Sequence, residues 1–174
     1  MELISGNIKL RPLRISEAER LAELANNEKI ACNLTDGFPH PYTLADAKDF
    51  LTKFTNQDPV TYFGIEYNGE YVGNISLVPR QDIYRMSAEI GYFIGEPYWN
   101  KGIVTTAVNL ITEYGFQHLG IIRIQTGVFE YNTASQRVLE KCGFVKEGVF
   151  RKSIIKRGKL WDEVRYAKLK AGIE

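Results

Sequence analysis

Apolar and polar positions along the chain switch between a period of two and a period near 3.6, and the switches mark the elements. Ile8, Leu10 and Leu13 predict a first strand. Ser16-x-x-Glu19 then reads as a capping box that opens a helix, the hydroxyl and the carboxylate each satisfying a free backbone N–H. Phe38-Pro39-His40-Pro41-Tyr42 is predicted non-helical, because proline lacks a donor and pushes its predecessor extended. Thr43-x-x-Asp46 restarts a helix that runs to about Thr55.

The middle of the chain has the period of sheet. Tyr62 to Tyr67 and Glu70 to Val78 flank Asn68-Gly69, a two-residue turn in which both positions need positive φ. Ser87 to Ile94 is the next strand. From Gly102 to Leu119 the residues Val104, Ala107, Ile111 and Tyr114 recur at helical spacing. Arg123 to Val128 is a strand and Asn132 to Cys142 a helix stopped by Gly143, with Phe144 placed to pack back on Leu139. Val145 to Lys156 and Lys159 to Lys168 close the chain as a hairpin around Arg157-Gly158. Antiparallel strands followed by strand–helix alternation imply a mixed α/β sheet covered by helices. No repeat, linker or low-complexity stretch interrupts it, so residues 1–174 read as one domain.

Composition narrows the function. A formal net charge of +1 gives no global field toward nucleic acid or an anionic membrane, so neither is expected as a partner. Cys32 and Cys142 form neither a C-x-x-C pair nor a disulfide framework, and two histidines are too few for a His/Cys metal site. Met1-Glu2-Leu3-Ile4 lacks a basic leader followed by an apolar run, and no apolar stretch approaches the ~18–20 residues that span a bilayer. The expectation is a soluble, cytoplasmic protein without disulfides or a metal.

The chemistry concentrates between Glu89 and Phe144. A strand ending at Ile94 passes through a tight turn, Gly95-Glu96-Pro97-Tyr98-Trp99-Asn100-Lys101, into the amino terminus of a long helix. Such a terminus offers unpaired N–H groups and partial positive charge, which suit a phosphate or diphosphate. Gly102 to Thr106 contains no acid, and Lys101 stands just before it, so this helix end is left for an external anion. An ordinary strand–turn–helix connection explains the glycine equally well. A P-loop or a G-x-G-x-x-G turn after a strand is absent. In Asn132-Thr133-Ala134-Ser135-Gln136-Arg137-Val138-Leu139-Glu140-Lys141-Cys142-Gly143-Phe144, Asn132 caps the helix and Gly143 ends it.

Trp99-Asn100-Lys101-Gly102-Ile103-Val104-Thr105 and the Asn132 to Phe144 segment resemble the two central motifs of the GNAT acetyltransferase superfamily. The likeness runs over nearly the whole chain, through Leu10-Arg11-Pro12-Leu13, Phe38 to Tyr42, Glu89-Ile90-Gly91-Tyr92 and Gly148-x-x-Arg151…Asp162…Tyr166. Within the superfamily the chain is similar to the branch of ribosomal-protein amino-terminal acetyltransferases. The resemblance implies a mostly antiparallel mixed sheet of about seven strands with a splayed central pair and about four helices.

It also implies acetyl-CoA as co-substrate. Its pantetheine would pair with the backbone of Tyr92, Phe93 and Ile94. Its diphosphate would sit on the N–H groups from Asn100 through Lys101, Gly102, Ile103 and Val104 to Thr105, behind Trp99. Asn132 and Ser135 would meet the pantetheine and the sulfur. The sequence departs from the family's Q/R-x-x-G-x-G/A pattern at Trp99 and Val104, and Leu139 stands where many relatives carry a tyrosine. Ser135 is therefore the expected sulfur partner. Glu89 is the expected base, with ordered water, Glu163 or Asp162 as alternatives. His40 and Tyr42 are candidate acceptor contacts; a proline-stiffened loop with a packed aromatic explains them as well. The implied activity is acetylation of a primary amine: a protein amino terminus, or a small molecule such as a polyamine, amino acid or aminoglycoside. An acyl-CoA-binding sensor without turnover is the other reading, and relatives of this kind are often homodimers.

Overall fold

The computed structural model describes residues 1–173. Eight strands form one sheet: β1 (Leu3–Ser5), β2 (Ile8–Pro12), β3 (Tyr62–Tyr67), β4 (Glu70–Pro79), β5 (Ser87–Ile94), β6 (Arg123–Phe129), β7 (Val145–Lys156) and β8 (Lys159–Leu169). Five helices cover it: α1 (Ala18–Ala25), α2 (Glu28–Ala31), α3 (Leu44–Phe54), α4 (Ile103–His118) and α5 (Thr133–Lys141). The spatial order is β1-β2-β3-β4-β5-β6-β8-β7. Hairpins join β3 to β4 at Asn68-Gly69 and β7 to β8 at Arg157-Gly158, with positive φ at all four residues. Among the described residues only β5 and β6 are parallel, because α4 carries the chain back across the sheet between them.

The sheet separates two apolar clusters. On one face α4 and α5 bury Ile111, Ala107 and Leu139 against Ile75, Leu77, Ile90, Ile124 and Tyr166. On the other face α1 and α3 bury Leu21, Leu24 and Leu51 against Tyr71 and Phe93, with Tyr42 from the intervening loop. Phe144 does pack in the first cluster, and its N–H closes on the Leu139 carbonyl (3.0 Å) as Gly143 turns through φ 78°.

The expected counts of about seven strands and about four helices resolve to eight and five, and one expectation, the first capping box, needs correction. The sheet has eight strands because the three-residue β1, too short for a readable alternation, pairs with β2. A fifth helix is the single turn α2, which Asn27 caps by accepting from Lys29 N–H (2.9 Å). Ser16 and Glu19 make no capping box: Ile15–Glu17 is a 3-10 turn, and Glu17 accepts from the Arg14 N–H (3.0 Å). The physical reason is Arg11, 3% exposed, whose buried guanidinium recruits both Glu17 and Glu66. The Thr43–Asp46 capping box forms as expected, with both reciprocal bonds present.

One departure from regular pairing shapes the molecule. β5 and β6 pair only at Ser87–Arg123, Ala88–Ile124 and Glu89–Gln125. Beyond that rung β5 stays with β4 as far as Ile94, while β6 stays with β8 as far as Phe129. The central pair therefore splays. Gly73 lets β4 hold β5 closely on its side of the opening, since a Cβ there would stand 2.3 Å from the Phe93 carbonyl oxygen.

Candidate active site

The splay opens a cleft of about 970 Å³ between β5 and β6, with the amino termini of α4 and α5 at its rim. Trp99 Nε1 donates to the Ile94 carbonyl (2.9 Å), which ties the turn to the strand it leaves. Asn100 (φ 60°) and Gly102 (φ 74°) then reverse the chain into α4. The first helical bond runs from Thr106 N–H to Gly102 carbonyl (3.1 Å). The N–H groups of Ile103, Val104 and Thr105 thus have no helical acceptor, and the first turn carries no acid. Val104 packs against the main core and also lines the cleft.

At α5, Asn132 Oδ1 caps the helix by accepting from Ser135 N–H (3.3 Å). Ser135 Oγ lies 2.7 Å from the Tyr92 hydroxyl, so α5 and β5 meet through two hydroxyls inside the cleft. Desolvation pushes the Tyr92 phenol up to about 12, against a smaller lowering by the Ser135 bond. Lys101, Arg137 and Lys141 line the same cleft. This gives the space a basic rim in a protein whose net charge is only +1. Arg137 and Lys141 share one face of α5 through their i,i+4 spacing, a signal present in the sequence.

Continuing the register of the Glu89–Gln125 rung brings Gly91 level with Gly127 across the mouth of the splay. Both glycines are exposed. The Glu163 carboxylate hangs directly over Gly127, where a Cβ would stand 1.8 Å from Oε1. Glu163 lines the cleft with its side chain 19% exposed, and Arg165 Nη1 stands 3.6 Å from it. Glu89 shares this face but sits on the last closed rung. Its carboxylate accepts from Gln125 Nε2 (2.5 Å), and it lines neither the cleft nor the cavity beside it.

That neighbouring cavity, about 690 Å³, lies between α3, the loop before it and the β3–β5 face of the sheet. It shares Leu34, Thr35, Gly91, Tyr92 and Phe93 with the cleft, so the two spaces join at the mouth of the splay. Tyr42 lines it from within the core, its phenol raised to about 12 by burial. His40 does not reach either space; its Nε2 faces Glu28 Oε2 at 3.1 Å. Asp162 is also elsewhere, held by the Lys152 N–H (2.9 Å) and ammonium, which keep its carboxyl below the usual range. Cys142 is a buried packing residue whose thiol burial pushes up, and whose Sγ reaches the Thr105 carbonyl (3.4 Å). Among the described residues no helix is long and apolar enough to cross a membrane.

The acetyltransferase (GNAT) domain family matches residues 7–145. The chain is 27% identical to spermidine N(1)-acetyltransferase of Escherichia coli K12, over 91% of this chain and 84% of that protein. It is similar to the structure of the microcin C7 self-immunity acetyltransferase MccE in complex with acetyl-CoA and AMP. There the identity is 29% and the TM-score 0.80, covering 95% of this chain and 94% of that one. The ribosomal-protein-S5-alanine acetyltransferase of Vibrio fischeri shares the fold, with a TM-score of 0.83 at 22% identity, over 99% and 98% of the two chains. The splayed sheet, the open helix ends and the family match together establish the class: this chain belongs to the GNAT family and is an N-acetyltransferase.

Proposed function

We propose that acetyl-CoA lies in the cleft between β5 and β6 and that its acetyl group passes to a primary amine arriving from the neighbouring cavity. The N–H groups of Ile103, Val104 and Thr105, with Lys101, Arg137 and Lys141 around them, receive the phosphates. The free edge of β5 from Ile90 to Ile94, including Tyr92 and Phe93, pairs with the pantetheine amides. Asn132 keeps its Nδ2 for the same arm, because its Oδ1 is used in the cap. Trp99, Asn100 and Gly102 shape the turn that holds these donors.

The carrying observation is the pairing of two groups across the mouth of the splay: Glu163 over Gly127 on one side, and Ser135 with Tyr92 on the other. Glu163 takes a proton from the amine as its nitrogen bonds to the thioester carbonyl carbon. The carbonyl oxygen receives the displaced electron pair and is held by a free N–H of β5. Collapse breaks the C–S bond. The Ser135 hydroxyl donates to the departing thiolate, which then takes a proton from solvent while Glu163 returns its own to water. Tyr92 stays protonated with its phenol near 12. It donates to Ser135 Oγ and so turns the Ser135 hydrogen toward sulfur, as a positioning residue. Glu163 thus replaces Glu89 as the base, since the Glu89 carboxylate is occupied one rung below the opening.

The acceptor reading favours the α-amine of a protein amino terminus over a polyamine. The cavity's charged lining is Asp46, Asp49 and Lys53, two carboxylates against one ammonium, so little net negative charge faces a polycation. Ser135→Ala is expected to lower kcat for thiol release about 100-fold and Tyr92→Phe about tenfold, with acetyl-CoA affinity unchanged. Wild-type kcat in both variants would remove the hydroxyl pair from the reaction.

A further inference from the structure

The neighbouring cavity carries more information than its charge. Asn74 lines it and is 7% exposed. Its Oδ1 accepts from the Tyr71 hydroxyl (2.5 Å), which is itself buried and held protonated by desolvation. Asn74 Nδ2 has no hydrogen-bond partner among the described residues. Among the described residues the one fully sealed side-chain polar atom without a partner is Thr112 Oγ1, so the Asn74 amide is not sealed and its residual exposure faces the cavity. An N–H₂ that keeps its exposure on a cavity wall is free to donate to a ligand oxygen there.

The sheet register fixes what surrounds that donor. Tyr62, Ser76 and Gly91 form one rung across β3, β4 and β5, and Gly64, Asn74 and Phe93 form the next. An amine at Gly91 therefore lies about two strand spacings, roughly 10 Å, from the Tyr62 backbone. There Phe54 stacks on Tyr62 with ring centroids 3.8 Å apart, and Phe50 packs on Phe54 at 5.0 Å. All three rings line the cavity. Amine position, carbonyl donor and aromatic wall are thus arranged as the nitrogen, carbonyl and side chain of one α-aminoacyl group.

We infer that the cavity selects acceptors whose amine is the α-amine of an aminoacyl group with a large apolar side chain, such as phenylalanine or leucine. Asn74 Nδ2 donates to the carbonyl oxygen, and Phe50, Phe54 and Tyr62 take the side chain. This rests on the acetyl-transfer reading above and names its substrate class. The chemistry has two sources, a protein amino terminus or a small aminoacyl compound.

The test measures thiol release from acetyl-CoA with phenylalanine amide, a peptide beginning with phenylalanine, alanine amide, phenethylamine and spermidine. Phenylalanine amide or the peptide should exceed both phenethylamine, which lacks the carbonyl, and alanine amide, which lacks the ring, by about tenfold or more in kcat/KM. Whichever of the two wins identifies the source. Asn74→Ala should narrow the phenylalanine amide to phenethylamine ratio toward one. Phe54→Ala should narrow the phenylalanine amide to alanine amide ratio. These ratios do not move when a variant merely folds less well. Faster turnover of spermidine or phenethylamine overturns the inference and leaves acetyl transfer standing. Absence of release with every amine overturns both.

Discussion

Glu163 and Gly127 depend on each other. A methyl group at position 127 would occupy the space of the Glu163 carboxylate, which is the movable end of a side chain, so the fold survives and the carboxylate is displaced. Gly127→Ala is therefore expected to lose activity about as severely as removal of the acid itself, roughly 100-fold, with a melting temperature close to wild type. Gly73→Ala makes the contrast, because its methyl meets the Phe93 backbone oxygen and the strands must shift; a lower melting temperature is its expected signature. Tyr42, Tyr92 and Tyr166 have phenols raised to about 12 by burial, with Glu140 adding to the effect at Tyr166. Their unfolded values lie near 10, so the native state holds more protons between those limits. Stability should fall as pH rises from about 10 toward 12, and denaturant midpoints across that range would show it. These residues also show where reading the sequence stops. Periodicity placed Glu89 on the correct face, but the depth at which two strands part is set by register across the sheet. That is why Glu89 lies below the opening and Glu163, from the last hairpin, lies in it.

Elements with local causes were legible. Asn68-Gly69 and Arg157-Gly158 form the expected hairpin turns, and Thr43 with Asp46 caps α3, because each needs only neighbouring residues. The Ser16 box failed because Glu17 answers to Arg11, a partner outside the local stretch. The acid-free first turn of α4 was also legible, and it is the element most open to test. Thr105→Glu should stabilise the helix slightly, by about 0.3–1 kcal/mol, while placing negative charge among the phosphate donors. Acetyl-CoA affinity should fall about tenfold by calorimetry. Unchanged affinity would place the phosphates elsewhere.

Two apolar clusters share one sheet, and the strands of the last hairpin join it at β6. The chain is therefore proposed to unfold as a single cooperative unit, with coincident fluorescence and circular dichroism transitions. Saturation with acetyl-CoA at about 100 times its dissociation constant should add about 2.7 kcal/mol to that one transition. Two separated transitions would divide the domain. The mechanism itself is tested most directly by thiol release from acetyl-CoA in wild-type and Glu163→Gln protein, followed across pH with an amine that the wild type acetylates. The expected result is a loss of about 100-fold or more in kcat, disappearance of the carboxylate limb of the pH profile, and unaltered acetyl-CoA binding. A Glu163→Gln protein with wild-type rate and pH profile would contradict the assignment.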